Sequence, residues 1–363
     1  MKNNLRDNLQ KEALSAACRF RRSGLNLSVG FGKTKVGLMY LDKAGGNTLV
    51  VVPKLDVIKS WQDDAEKFGY SEVIDKCVFT TYLSLTKHNP GDYQNLVMDE
   101  AHNAKASHLP FLSNFEGNIL GLTGTPPVWQ NSEKGQVMLT YYPIRYAYTT
   151  DEAVSANILN NYNIVVHYLD LDRDPKSHYV QLKHKSFYTS EYKAYQAATK
   201  KIEISTTDKS RMFAHILRIN SLKQFKTKQK YAKKLIKKIS EEEKVLIFAN
   251  TIEQAKSLCK NSHHSKSKGE DLELFKDGSI TRLSCVEQLS EGINIPQLKH
   301  AILLHTYSGS SPKAKQKMGR LMRLPTTETA TIHILCYKDT VDEKWVESNL
   351  EKFDKNKIKY INN

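Results

Sequence analysis

Short apolar runs alternate along this chain with stretches in which apolar residues return every three or four positions. In the first half the runs are NLSVG, TLVVVP, CVFTTY, NLVMDE and NILGLTG, separated by amphipathic segments such as DVIKSWQDDAEKF. The second half repeats the pattern with NIVVHYLDLD, KVLIFAN, TRLSCV, HAILLHT and TATIHILCY. Strand-length runs alternating with helices predict a mostly parallel sheet covered by helices on both faces. The chain therefore reads as α/β, with two similar domains in tandem, residues 1–150 and 151–363. The seam falls within YYPIRYAYTTDEA, where strand-like alternation is lost. After Thr340, VDEKWVESNLEKF predicts a closing amphipathic helix with Val341, Trp345 and Phe353 inward.

Composition narrows the class. A chain of 363 residues is long enough to bury two cores. No apolar stretch has the length of a membrane span, and MKNNLRDNLQ lacks the apolar centre of a signal peptide. A soluble, cytoplasmic protein without a membrane partner is expected. Five cysteines lie far apart with no C-x-x-C pair and read as free thiols. The pair His263 and His264 near Cys259 lies in a lysine-rich stretch and reads as a surface loop. Lys and Arg exceed Asp and Glu by 15, which points to a polyanionic partner. Between Lys209 and Lys238 there are eleven basic residues and no acid. That run is either a solvated helix face or a phosphate-contacting one.

Two short stretches carry candidate chemistry. In LSVGFGKTKVGLMYL, Ser28 to Gly30 leave a strand, Gly30 and Gly32 let the backbone bend, and Lys33 and Thr34 open a helix. A helix N-terminus offers unpaired N–H groups to an anion, a lysine there reaches the β and γ phosphates, and the hydroxyl reaches magnesium. Leu27 stands where the strict phosphate-loop pattern requires its first glycine, so a plain turn before a helix is the competing reading. Downstream, NLVMDEAHNAK sets Asp99 beside Glu100 directly after an apolar run. Adjacent carboxylates near a buried strand repel and need compensation. A phosphate-bound magnesium ion supplies it if Asp99 holds the metal through water and Glu100 orients or deprotonates the attacking water. The competing reading is an ordinary helix cap.

Taken in order, the motifs resemble those of superfamily 2 helicases and translocases. GFGKT is similar to motif I, VVVPKLDVIKSW to Ia, DEAH (99–102) to II and GLTGTPP (121–127) to III. KVLIFANTIEQAKSL is similar to motif IV, LSEGINIP (289–296) to V and QKMGRLMR (316–323) to VI. The resemblance implies two tandem RecA-like domains that clamp ATP with Mg2+. It makes Gln10 an adenine reader, and Gly30, Gly32, Lys33 and Thr34 the phosphate and magnesium cradle. Asp99 and Glu100 keep the roles above. His102, Thr123 and Thr125 would couple nucleotide to nucleic acid, Gly292 and Asn294 would border the nucleotide, and Gln316, Arg320 and Arg323 would face the γ-phosphate. A guanidinium suits that place because its planar fork matches phosphate oxygens and stays charged. Pro53, Lys54, Thr80, Thr81, Asn250, Thr251 and Ser284 occupy the family's backbone-contact positions, which implies sequence-independent, salt-dependent binding.

The segments TLVVVPKLDVIKSW and 141–171 look more like DNA translocases of the chromatin-remodeller, phage UvsW and restriction-motor kinds than RNA-specific DEAD-box proteins. Nineteen residues separate Pro296 from Gln316, too few for a strand-splitting hairpin. The expectation is a minimal monomeric motor acting on single-stranded, duplex or branched DNA in replication, recombination or repair, beside other proteins of those processes. An RNA helicase is the alternative. A catalytically inactive nucleic-acid scaffold is a third reading, opposed by the intact Lys33, Asp99, Glu100 and Arg323 set.

Overall fold

The computed structural model describes the chain apart from residues 1, 29, 128–129, 157–160, 182–184, 268, 287–294, 307–327 and 352. The described residues form two compact units, with the chain passing from one to the next between Asn161 and Tyr162. In the first unit six strands make one sheet: β1 (Arg22–Leu27), β2 (Thr48–Val52), β3 (Cys77–Thr81), β4 (Asn95–Asp99), β5 (Asn118–Thr123) and β6 (Ile144–Tyr148). Their order is β3-β2-β4-β5-β1-β6 and every pairing is parallel. Parallel strands covered on both faces are apolar throughout, which is why TLVVV of β2 and NLVMD of β4 are buried at every position.

Alternate residues of those strands feed two cores. Leu25, Val50, Val52, Val97 and Leu122 pack with Val36, Trp61 and Ala17, from the helices Lys33–Ala44, Asp56–Phe68 and Lys2–Cys18. On the opposite face Leu49, Val51, Leu96, Met98 and Ile119 pack with Phe111, Phe115, Val137 and Tyr142. Both phosphate-loop and acid segments leave this sheet at strand ends, from β1 and β4.

The second unit contains β7 (Asn161–Leu169), a hairpin of β8 (His178–Gln181) and β9 (Ser186–Thr189), then β10 (Lys244–Ala249), β11 (Ser262–His263), β12 (Arg282–Val286), β13 (Leu298–Leu303), β14 (Thr329–Tyr337) and β15 (Ile358–Asn362). Apart from the hairpin these form one sheet in the order β11-β12-β10-β13-β14-β7-β15. Its core joins Val245, Ile247, Ile302, Leu335 and Tyr337 to Ala232, Leu235 and Ala255 of flanking helices.

Four expectations need correction. Strand β1 begins at Arg22 and ends at Leu27, so NLSVG holds only its last two residues. Alternation is not lost after Tyr142: Ile144, Tyr146 and Tyr148 are more buried than Arg145 and Ala147, and β6 pairs with β1 at the sheet edge. The helix Val341–Leu350 does not close the fold, because IKYIN forms β15 along β7. Its fully buried apolar residues are Val346 and Leu350; Val341 and Phe353 are half-buried yet pack inward, on the core and on the buried Tyr162, and Trp345 is half-buried. The basic run is two helices, Asp208–Gln224 and Thr227–Lys238. One of its lysines, Lys228, is fully buried in an ion pair with Asp342, so the run is not a uniformly solvated or phosphate-facing surface.

Candidate nucleotide-binding site

Strand β1 stops where its ladder gives way to a turn. Phe31 N–H donates to Ser28 O at 3.1 Å, and Ser28 N–H donates to Tyr148 O at 2.9 Å. Gly30 (φ 86°) and Gly32 (φ 98°) lie in the left-handed region that disfavours a Cβ. A Cβ on Gly32 would also fall 2.5 Å from Gln10 Nε2. The helix then starts at Lys33, and no side chain caps it among the described residues. Its first N–H groups therefore face outward as anion donors.

The loop is held from behind by the helix Lys2–Cys18. Gln10 Nε2 donates to Phe31 O at 2.8 Å, Arg6 Nε donates to the same oxygen at 3.3 Å, and Arg6 also donates to Gly30 O. Gln10 is buried, yet among the described residues its Oε1 has no hydrogen-bond partner. A buried amide oxygen without a donor is costly, and here it lies beside the loop, as a reader of an exocyclic amine would.

The two acids diverge at the end of β4. Asp99 Oδ2 accepts from Trp61 Nε1 at 3.0 Å and Oδ1 from the Glu100 N–H at 2.9 Å. Tyr82 Oη donates to the Asp99 carbonyl at 2.8 Å. Burial, then the Glu100 charge beside it, pushes the Asp99 carboxyl up to about 6. Glu100 itself is left-handed (φ 46°, ψ 53°), which turns its side chain away from the strand. Lys33 Nζ meets its Oε1 at 2.8 Å, so an ammonium of the chain supplies part of the compensation that the acids require. His102 Nδ1 lies 3.4 Å from Glu100 Oε2, 3.1 Å from Thr123 Oγ1 and 3.2 Å from Thr125 Oγ1. Burial lowers His102 to about 4, which keeps its ring neutral near pH 7.

The first unit therefore brings Gln10, Gly30, Gly32, Lys33, Asp99, Glu100, His102, Thr123 and Thr125 into one hydrogen-bonded neighbourhood. Thr34 follows Lys33 in the first helical turn, half-buried. Oxygen ligands suit magnesium, so the Asp99 carboxylate and Thr34 hydroxyl fit that ion as donors. Trp61, Tyr82 and Arg6 belong to the site as well. Trp61 is buried because Gly37 leaves room for it: a Cβ there would lie 2.5 Å from the indole. No spacing in the sequence announces a partner 38 residues away, although the tryptophan ends the motif Ia segment.

The remaining assigned positions divide. Register pairs Val52 with Thr81, so Pro53, Lys54 and Thr81 share one rim of the first sheet. Thr80 is buried, with its hydroxyl 3.0 Å from His88 Nε2. In the second unit Thr251 caps the helix Ile252–Leu258 by accepting from Gln254 N–H, and Asn250 N–H donates to Gln254 Oε1 at 2.9 Å. Ser284 is fully buried within β12 and donates to Ala255 O at 2.9 Å, so its hydroxyl faces the interior rather than a phosphate. Gly292, Asn294, Gln316, Arg320 and Arg323 lie outside the described residues.

Comparison with known proteins bears on both halves. Residues 3–128 match the family described as Type III restriction enzyme, res subunit, and residues 227–325 match the Helicase conserved C-terminal domain. The DNA 3'-5' translocase XPB2 of Sulfurisphaera tokodaii is 25% identical over 93% of this chain and 82% of its own length. Over both halves the chain is similar to the helicases and translocases of superfamily 2. Solved structures share its fold. The Hef helicase domain of Pyrococcus furiosus aligns with a TM-score of 0.55 at 15% identity, over 94% of this chain and 97% of that one. The ATP-dependent Type ISP restriction-modification enzyme LlaBIII bound to DNA aligns at 0.63 and 16%, over 98% of this chain and 31% of that one. The two parallel-sheet units of this chain thus have the fold of tandem RecA-like domains.

Proposed function

We propose that this chain hydrolyses ATP and couples the reaction to movement along DNA. The observation that carries the reading is the meeting of Lys33, on the loop after β1, with Glu100, on the turn after β4, beside a buried Asp99. Glycine loop, lysine and paired acids are the parts that phosphoryl transfer to water requires. The XPB2 relative supports DNA as the track, and so does the net charge of +15.

Each group has a task set by its position. An ammonium has three protons, so Lys33 can keep its contact with Glu100 and still donate to β and γ phosphate oxygens. The open helix end adds backbone N–H donors on the same side. Asp99 and Thr34 would hold magnesium, which when bound neutralises phosphate charge. Glu100 takes the proton of the attacking water on a carboxylate oxygen. His102, neutral and within reach of the Thr123 and Thr125 hydroxyls, senses Glu100 and passes its position to the segment after β5. Gln10 reads the base edge with its unpartnered oxygen. Gly292, Asn294, Gln316, Arg320 and Arg323, outside the described residues, keep the nucleotide-site roles that the motif resemblance implies for them. Pro53, Lys54, Thr81, Asn250 and Thr251 touch the phosphate backbone without reading bases.

The test is ATP turnover with no nucleic acid, single-stranded DNA, duplex DNA, a four-way junction and RNA. Stimulation by DNA above RNA is expected, and equal rates throughout would overturn the motor reading. Lys33→Ala and Glu100→Gln should each lose turnover by at least about 10²-fold while still binding DNA without nucleotide. Retained hydrolysis in either variant would remove the site assignment.

A further inference from the structure

The helix Asp208–Gln224 turns apolar side chains outward. Its buried residues are only Ala214 and Leu222, whereas Met212, Phe213 and Ile216 are 61%, 62% and 44% exposed. At 100° per residue, Lys209, Met212, Phe213, Ile216 and Lys223 fall on one stripe. The stripe is about 21 Å long and has an apolar middle and a lysine toward each end. From Asp208 to Lys226 there are five basic residues and one acid. That acid is 3.6 Å from Arg211, so the surface stays cationic.

An exposed ring flanked by cations suits a ligand with flat apolar faces joined by phosphates. Duplex DNA hides its base faces, but a single strand offers them. A second copy of this chain fits poorly, because two such stripes would set lysine against lysine. A face about 21 Å by 10 Å also falls far short of the roughly 800 Å² that each partner buries in a stable dimer. We propose that this stripe binds a single-stranded stretch of DNA, with Phe213 and Met212 against bases and Lys209 and Lys223 on phosphates. The proposal rests on the DNA-motor reading and adds to it a surface outside the seven motifs.

Fluorescence anisotropy without nucleotide, on a labelled deoxythymidine oligonucleotide and on a duplex of equal length, tests it. Phe213→Ala should weaken single-strand binding about 5- to 150-fold, the range for a lost base–aromatic stack, and change duplex binding by less than about twofold. Phe213→Trp, which keeps a stacking ring, should retain the affinity. Lys209→Ala with Lys223→Ala should lower the slope of log affinity against log salt by about 1.4 on the single strand. If Phe213→Ala binds both DNAs as the unsubstituted protein does, the proposal fails while the motor reading stands. If the unsubstituted protein binds no DNA, both fall. If Phe213→Ala instead dissociates a dimer seen by sedimentation and leaves DNA binding intact, the stripe is a protein interface and the proposal is wrong.

Discussion

Glycine in place of Glu100 should leave the first unit more stable than alanine in the same place, which inverts the usual order. In ordinary helical or extended backbone, glycine is the worse choice by about 0.5–1 kcal/mol because it loses more freedom on folding. Glu100, however, has φ 46° and ψ 53°, where a Cβ crowds the following carbonyl. That conformation costs an L-residue about 1–2 kcal/mol. Both variants lose the Lys33 contact at 2.8 Å and the His102 contact at 3.4 Å, so these terms cancel in the comparison. Strain relief of about 1–2 kcal/mol less the glycine entropy leaves the glycine variant ahead by about 0.5–1 kcal/mol. For a unit of this size that corresponds to about 1–4 °C in melting midpoint. Melts of the full chain, followed by circular dichroism, read the difference. Turnover should vanish in both, because the proton acceptor is gone. An alanine variant as stable as the glycine variant, or more so, would refute the claim that strain is held at this residue.

Three other outcomes follow from buried contacts. Gly32→Ala, whose Cβ would lie 2.5 Å from Gln10 Nε2 at φ 98°, should weaken a fluorescent ATP analogue about 5- to 30-fold, by roughly the 1–2 kcal/mol of the left-handed penalty; unchanged affinity would contradict the loop conformation. Lys228→Met leaves Asp342 buried without its cation, and should cost about 3–5 kcal/mol in urea denaturation; a loss under about 1 kcal/mol would show that the Tyr337 N–H and Thr306 hydroxyl suffice for that carboxylate. Burial lowers His167 to about 4 and His333 to about 3, the latter also through His167 beside it at 3.1 Å. The unfolded chain then binds more protons than the folded one below the ordinary histidine range, so stability is full above about pH 6.5 and falls as pH drops toward 4. The denaturant midpoint should follow that fall and flatten in His333→Leu, and an unaltered slope would exclude the pair as its source.

The ATP-site segments were legible because their chemistry is local. A glycine loop with its lysine, and two acids after an apolar strand, can each be recognised within a few residues, although 67 positions separate Lys33 from Glu100. Parallel strands buried on both faces were equally plain, as in TLVVV and KVLIFA. What escaped depends on distant partners. Strand β15 is a short, partly exposed edge whose identity comes from β7, far away in the chain. Strand β6 hid because Tyr141, Tyr142 and Pro143 directly before it break the alternation that IRYAY itself keeps. Lys228 sits in a basic run, and only the fold shows that its ammonium faces inward toward Asp342 and the Tyr337 ring. Trp61 carried no sign that its indole N–H would reach Asp99.

The place of β7 also bears on biosynthesis. It lies in its sheet between β14 and β15, and β14 begins about 160 residues after β7 ends. At about 5–20 residues per second, a nascent chain would carry this strand for about 10–30 s before either neighbour had left the ribosome. During that interval its backbone edges are bare templates for pairing with another nascent chain. Slower growth at low temperature lengthens the wait, whereas a chaperone that shields extended segments removes the hazard.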